Sequence, residues 1–129
     1  MMKKVMIVDD EPDILYSLKQ ELESLNAGYD IVSASGGREC LKLLDHGLIP
    51  DIILLDIMMP EISGWEVFDR SKKNPSWKDI PIVFLTARID GIARDVGDFL
   101  GEDYIQKPFK IKDLQKRIDI VLNNKKAIM

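Results

Sequence analysis

Short apolar segments that alternate with helical patterns are the feature that most constrains what this chain can fold into. Three segments are clear, namely Val5–Val8, Ile52–Leu55 and Ile82–Leu85, and two weaker ones are Tyr29–Ser33 and Asp103–Gln106. Short runs rich in Ile, Val and Leu are typical of strands that are buried on both faces of a parallel sheet. The pattern therefore predicts five parallel strands.

The segments between these strands carry apolar residues at helical spacing. One predicted helix begins at Pro12, and the others cover Gly37–His46, Gly64–Lys73, Arg88–Phe99 and Ile111–Asn123. Strand and helix alternate five times, which favours an α/β fold: a doubly wound parallel sheet with helices on both faces.

The length and composition bound the classes of protein that remain. With 129 residues, the chain fits one domain, which we expect over residues 1–123, followed by a frayed polar tail at 124–129. A net charge of −4 argues against direct nucleic-acid binding. One cysteine and one histidine form neither a disulfide nor a zinc site. The apolar runs are too short for a secretory signal or a membrane span, which predicts a cytoplasmic protein.

Acidic residues follow two of the predicted strands. Asp9 and Asp10 come directly after the first strand, and Asp56 comes directly after the third. Ligands of open α/β sheets bind beyond the carboxyl ends of the strands, so these carboxylates are expected to converge. Their mutual repulsion either raises their pKa values or attracts a cation, and oxygen ligands favour Mg²⁺. The alternative is that they are solvated acids at helix N-termini.

Two further side chains favour a binding site. Thr86 ends the fourth strand and offers a hydroxyl, and Lys107 ends the fifth and offers a cation. Carboxylates, a hydroxyl and an ammonium group at neighbouring strand ends suit phosphoryl transfer. A carboxylate can itself be the nucleophile, which gives an aspartyl-phosphate intermediate.

The motifs around these residues support a family assignment. They are Val8-Asp9-Asp10-Glu11-Pro12, Asp56-Ile57-Met58-Met59-Pro60 with Gly64, Thr86-Ala87, Asp103-Tyr104 and Lys107-Pro108-Phe109. With these motifs in register over nearly its whole length, the chain resembles the receiver domains of two-component response regulators, including the chemotaxis regulators. The resemblance implies the flavodoxin-like strand order 2-1-3-4-5.

The resemblance also implies a metal site around a phosphoacceptor. Asp56 would accept the phosphoryl group. Asp10 would bind Mg²⁺ directly and Asp9 through water, while the backbone carbonyl of Met58 would complete the protein ligands.

The remaining motif residues would bind the phosphoryl group and report its presence. Lys107 would pair with it, and Thr86 would move to form a hydrogen bond with it. Tyr104 would follow Thr86 as an aromatic switch. The resemblance also implies a cis peptide bond between Lys107 and Pro108.

The function implied is a signalling switch. It would not be an enzyme, because it would catalyse only its own phosphorylation and dephosphorylation. A sensor histidine kinase or a phosphotransfer protein would donate the phosphoryl group. Phosphorylation would alter the surface formed by the predicted fourth helix, fifth strand and last helix. That surface would bind an output partner that the sequence does not identify, or a second copy in a weak, phosphorylation-dependent homodimer.

Two other functions remain as alternatives. One is a receiver-like scaffold that binds partners without phosphorylation. The other is a Mg²⁺-dependent aspartyl phosphohydrolase. Such enzymes usually place an acid/base Asp two residues after the nucleophile, where this chain has Met58.

The predicted helix Arg88–Phe99 departs from the family pattern because it contains Gly91 and Gly97. Each interior glycine costs about 1 kcal/mol relative to alanine, so we expect this helix to be short or mobile. Hydrogen exchange should show weaker amide protection here than in the last helix. Equal protection in the two helices would contradict this expectation.

Overall fold

A computed structural model describes residues 2–86 and 103–128, and for residues 86, 103 and 125–128 it describes the backbone alone. The strands are β1 (Lys3–Val8), β2 (Tyr29–Ala34), β3 (Ile52–Asp56), β4 (Ile82–Thr86) and β5 (Asp103–Gln106). The helices are α1 (Pro12–Ser24), α2 (Gly37–Asp45), α3 (Gly64–Lys73) and the C-terminal helix (Ile111–Ile128).

The described strands form one parallel sheet in the order β2-β1-β3-β4-β5. This arrangement confirms the predicted doubly wound α/β fold and its strand order. Val8 of β1 pairs with Leu55 of β3, and Asp56 of β3 pairs with Leu85 of β4. The carboxyl ends of the central strands therefore lie side by side at one edge of the sheet.

The sheet separates two apolar layers because successive side chains of a strand point to opposite faces. Val5 and Ile7 pack in one layer with the buried residues of α1 and the C-terminal helix. Met6 and Val8 pack in the other layer with α2 and α3. All four side chains are fully buried, which confirms the expectation of helices on both faces.

A polar contact joins the outer strand to the last helix. The hydroxyl of Tyr29, at the start of β2, donates a hydrogen bond of 2.7 Å to Asp119 of the C-terminal helix. Burial, together with this carboxylate, raises the pKa of Tyr29. The phenol therefore stays a donor throughout the neutral pH range.

The last helix is longer than the sequence pattern predicts, because it continues past Asn123 to Ile128. Lys and Ala are strong helix formers, and lysines suit the negative end of the helix dipole. The domain boundary at residue 123 stays a prediction. The predicted helix at 88–99 lies outside the described residues.

Replacing a buried side chain of the C-terminal helix should destabilise the fold. Leu114 is fully buried against the sheet, whereas Ile120 of the same helix is 48% exposed. Leu114→Ala should lower the free energy of unfolding by about 2–5 kcal/mol. Ile120→Ala, the matched control, should lower it by less than about 1 kcal/mol. Urea unfolding measures both, and equal effects would contradict the packing described.

Candidate functional site

Asp9 directly follows β1 and is buried in the short connection that leads to α1. The Asp9 amide donates to the carbonyl of Ala34 at 3.2 Å, which continues the pairing with β2. Its carboxylate Oδ1 accepts a hydrogen bond of 2.9 Å from the amide of Glu11. One oxygen is thereby fixed by the backbone, and Oδ2 forms a separate contact with Lys107.

Asp56, the last residue of β3, is buried below the loop that leads to α3. Gly64 begins α3 and lies directly against the backbone of Asp56. A Cβ atom on Gly64 would overlap the carbonyl oxygen of Asp56 and lie 2.8 Å from the Cα of Ile57. The absence of a side chain at Gly64 thus allows the loop to fold back over the end of β3.

Three carboxylates converge at this edge, as the sequence predicts. The ligand oxygens of Asp9, Asp10 and Asp56 all lie within 4.8 Å of one another. Asp9 and Asp56 are buried and Asp10 is partly exposed, so one side of the cluster faces solvent. Clustered carboxylates beside water are the donor set that Mg²⁺ prefers, and the residues present therefore fit this ion.

Lys107 links two members of this cluster. Its Nζ lies 3.1 Å from Oδ2 of Asp9 and 3.3 Å from Oδ1 of Asp56. Burial acts to lower the pKa of Lys107, but the hydrogen bond to Asp9 and the charge of Asp56 outweigh it and raise this pKa overall. The side chain is therefore an ammonium ion. The peptide bond from Lys107 to Pro108 is cis, as expected.

The environment of Asp56 opposes its ionisation. Burial raises its pKa most, Lys107 lowers it, and the negative charges of Asp9 and Asp10 raise it again. The result is a pKa of about 6, compared with an ordinary value of 3.8. A bound cation would reverse this balance because it favours the ionised carboxylate.

Three other predicted site residues lie near this edge. The backbone of Thr86 ends β4 and pairs with Gln106, but its side chain lies outside the described atoms. Tyr104 is half-buried and packs against the layer that contains α2 and α3. The side chain of Met58 is 76% exposed, two residues after Asp56. Their individual roles stay predictions.

Sequence reasoning missed a contact between the start of α2 and the loop that follows β3. The sequence suggests that Gly36-Gly37 eases entry into the second helix. In the structure, Gly37 is buried against Ile62, in the loop between β3 and α3. The sequence feature that marks this contact is the pair of glycines at a predicted helix start. It does not indicate which residue Gly37 contacts.

Comparison with known proteins identifies the family. The family model described as the response regulator receiver domain matches residues 5–119. The chain belongs to this family. This receiver domain is 44% identical over 121 residues to a probable transcriptional regulator, ycf27, of Guillardia theta. The match covers 93% of this chain and 45% of that protein. The chain likewise spans about half the length of several other curated relatives that it matches.

Solved structures agree with this assignment. A CheY-like receiver domain protein of Methanospirillum hungatei is 27% identical, has a TM-score of 0.88 and matches over 100% of both chains. The response regulator TrrA of Thermotoga maritima, solved in complex with Mg²⁺-BeF, is 37% identical with a TM-score of 0.78. The match covers 92% of this chain and 97% of TrrA.

Receiver domains are signalling modules of two-component systems, which places this chain in that functional class. Among the residues that the structure describes, no helix combines the length and the apolar character needed to cross a bilayer.

The raised pKa of Asp56 predicts a pH-dependent effect of its removal. Because the pKa of the folded state exceeds that of the unfolded state, ionisation of Asp56 costs stability above pH 6. This cost declines as the pH falls toward 4 and vanishes below the unfolded pKa. In Mg²⁺-free buffer, Asp56→Asn should therefore raise the free energy of unfolding at pH 7.5, by on the order of 1–2 kcal/mol.

Urea unfolding between pH 4 and pH 8 tests this effect. The advantage of Asp56→Asn should shrink steadily as the pH is lowered. Lys107 retains its contact with Asp9, so the substitution does not leave the ammonium group without a partner. Asp30→Asn, at an exposed site on β2, is the control and should differ from the parent by less than about 0.5 kcal/mol. A constant difference between Asp56→Asn and the parent at every pH would contradict this account.

Proposed function

We propose that this receiver domain accepts a phosphoryl group on Asp56 in a Mg²⁺-dependent reaction. The observation that carries the proposal is the position of the Asp56 carboxylate, which lies beside both the ammonium group of Lys107 and the other two carboxylates of the cluster. An acidic cluster alone would suit any cation. The partly buried Lys107 adds a donor that can bind an anion entering the same site.

The proposed ligands of Mg²⁺ are Asp9, Asp10, Asp56 and the backbone carbonyl of Met58. Convergence of the three carboxylates supports the first three ligands, and the position of Met58 two residues beyond the end of β3 supports the fourth. When bound, Mg²⁺ would offset the negative charge of the phosphoryl oxygens. The TrrA structure, solved with Mg²⁺-BeF, is consistent with such a site.

In the proposed reaction, one carboxylate oxygen of Asp56 attacks the phosphorus atom of a phosphohistidine. The new P–O bond forms as the P–N bond breaks, and its electron pair remains on the imidazole nitrogen. Lys107 would donate a hydrogen bond to one phosphoryl oxygen, and the hydroxyl of Thr86 would bind another. Asp56 must be ionised to attack, which its interactions with Lys107 and the metal would favour.

The donor would be a sensor histidine kinase or a phosphotransfer protein. Thr86 and then Tyr104 would move when the phosphoryl group is present, because a local change of charge can shift a protein between two conformations. The altered surface would include β5 and the C-terminal helix, and would bind an output partner or a second copy in a weak homodimer. We propose that residues 1–123 form this switch, act in the cytoplasm and do not bind nucleic acid themselves.

Intact mass spectrometry tests the acceptor. After incubation with Mg²⁺ and a small phosphodonor, the parent chain should gain the mass of one phosphoryl group. Asp56→Asn should gain none, whereas Asp30→Asn should gain one. Removing Mg²⁺ with a chelator should abolish the gain in every variant, because the charge on the incoming group would no longer be offset.

Three outcomes would contradict this proposal. A gain that persists in Asp56→Asn would place the acceptor elsewhere. No gain in the parent, even with a cognate kinase and with bound Mg²⁺, would favour a scaffold that works without phosphorylation. Continuous release of inorganic phosphate from many donors would indicate a phosphohydrolase.

A further inference from the structure

The start of α2 packs without a gap against the loop between β3 and α3, residues 57–63. Gly37 is buried at this contact. A Cβ atom built on Gly37 would lie 2.8 Å from both Cγ2 and the carbonyl oxygen of Ile62, and 2.9 Å from its Cβ. Because one of these contacts is with the backbone, a rotamer change of Ile62 could not make room for a methyl group.

The loop that contains Ile62 is held by its own hydrogen bonds. The carbonyl of Ile57 accepts hydrogen bonds from the amides of Met59, at 3.2 Å, and Gly64, at 2.9 Å. The amide of Ile62 donates to the carbonyl of Pro60 at 2.8 Å. Because these hydrogen bonds connect residues 57–64, a displacement of Ile62 should also displace the neighbouring residues of the loop.

Met58 lies inside this hydrogen-bonded loop, between Ile57 and Met59. The backbone carbonyl of Met58 is the proposed Mg²⁺ ligand, so its position depends on the loop being held in place. Mg²⁺ demands near-ideal octahedral geometry with short metal–oxygen distances, so a small displacement of one ligand weakens binding.

A second contact between the same two segments is too weak to hold the loop by itself. Arg38 forms an ion pair with Glu61, with its Nη2 2.8 Å and its Nε 3.2 Å from the same carboxylate oxygen. The two side chains are 76% and 67% exposed, and ion pairs with such exposure contribute little. Of these two contacts between the segments, the buried one between Gly37 and Ile62 therefore contributes more to holding the loop.

We propose that Gly37 is a positioning residue for the Mg²⁺ site. Its missing side chain lets Ile62 pack directly against α2, and this contact holds the loop at the position that the Met58 carbonyl needs. The inference rests on the proposed function, because it assumes that this carbonyl is a Mg²⁺ ligand.

The neighbouring glycine supplies a matched control. A Cβ atom on Gly36 would meet nothing within 4 Å, and its φ of 165° is extended backbone that any residue adopts. Gly37→Ala should weaken Mg²⁺ binding about tenfold, the scale of effects seen when the support of a metal ligand is altered. Gly36→Ala should change the dissociation constant less than about twofold. Isothermal titration calorimetry with Mg²⁺ alone measures both constants without requiring any phosphorylation.

A variant that is destabilised in the other apolar layer separates positioning from loss of stability. Leu122 is buried in the layer that contains the C-terminal helix. Leu122→Ala should lower the stability but leave the Mg²⁺ dissociation constant of the folded fraction unchanged. If Gly37→Ala fails to fold, Ile62→Ala tests the same contact, since it removes the apolar anchor without adding a clash and should also weaken Mg²⁺ binding several-fold.

The outcomes distinguish this inference from the proposed function. Parent-like Mg²⁺ affinity in folded Gly37→Ala, or in Ile62→Ala where Gly37→Ala does not fold, would overturn the positioning role alone. Equal weakening by Leu122→Ala would also overturn it. A parent chain that binds no Mg²⁺ would overturn both proposals.

Discussion

The functional site depends on bringing three like charges together at a partly buried edge of the sheet. Asp9 and Asp56 are both buried, and their oxygens lie within 4.8 Å of each other and of Asp10. Such an arrangement is unfavourable without a cation. Lys107, which directly follows β5 at the same edge of the sheet, supplies one positive charge and contacts both buried carboxylates. This ammonium group offsets part of the negative charge of the three carboxylates, so the described part of the site retains an excess of negative charge.

The parallel sheet brings these charged residues together. Residues 9, 56 and 107 are far apart in the chain, but each lies at or just beyond the carboxyl end of a strand. The order β2-β1-β3-β4-β5 puts β1 and β3 side by side, and β4 separates β3 from β5. The apolar layers on both faces provide the stability that offsets the cost of burying these groups.

Much of this arrangement could be predicted from the sequence because it follows from short-range patterns. The apolar runs Val5–Val8 and Ile52–Leu55 identify buried strands. Because the strands are parallel, the acidic residues that follow them lie at the same edge of the sheet. The contact of Gly37 with Ile62 could not be predicted, because it joins segments that are distant in the chain and depends on the close approach of two backbones. The length of the C-terminal helix was also missed, since a polar tail offers no apolar periodicity. The roles of individual site residues remain predictions.

The separation of the core into two layers has a consequence for how the chain can vary. The buried side chains of the described residues fall into two sets with no member in common, one packed with α1 and the C-terminal helix and the other with α2 and α3. Substitutions in different layers share no side-chain contact, so their effects on stability should add, whereas substitutions within a layer should couple. Each face of the sheet can therefore be repacked by compensating changes of its own. The charged residues at the edge of the sheet can thus be kept while the apolar residues of the surrounding helices change.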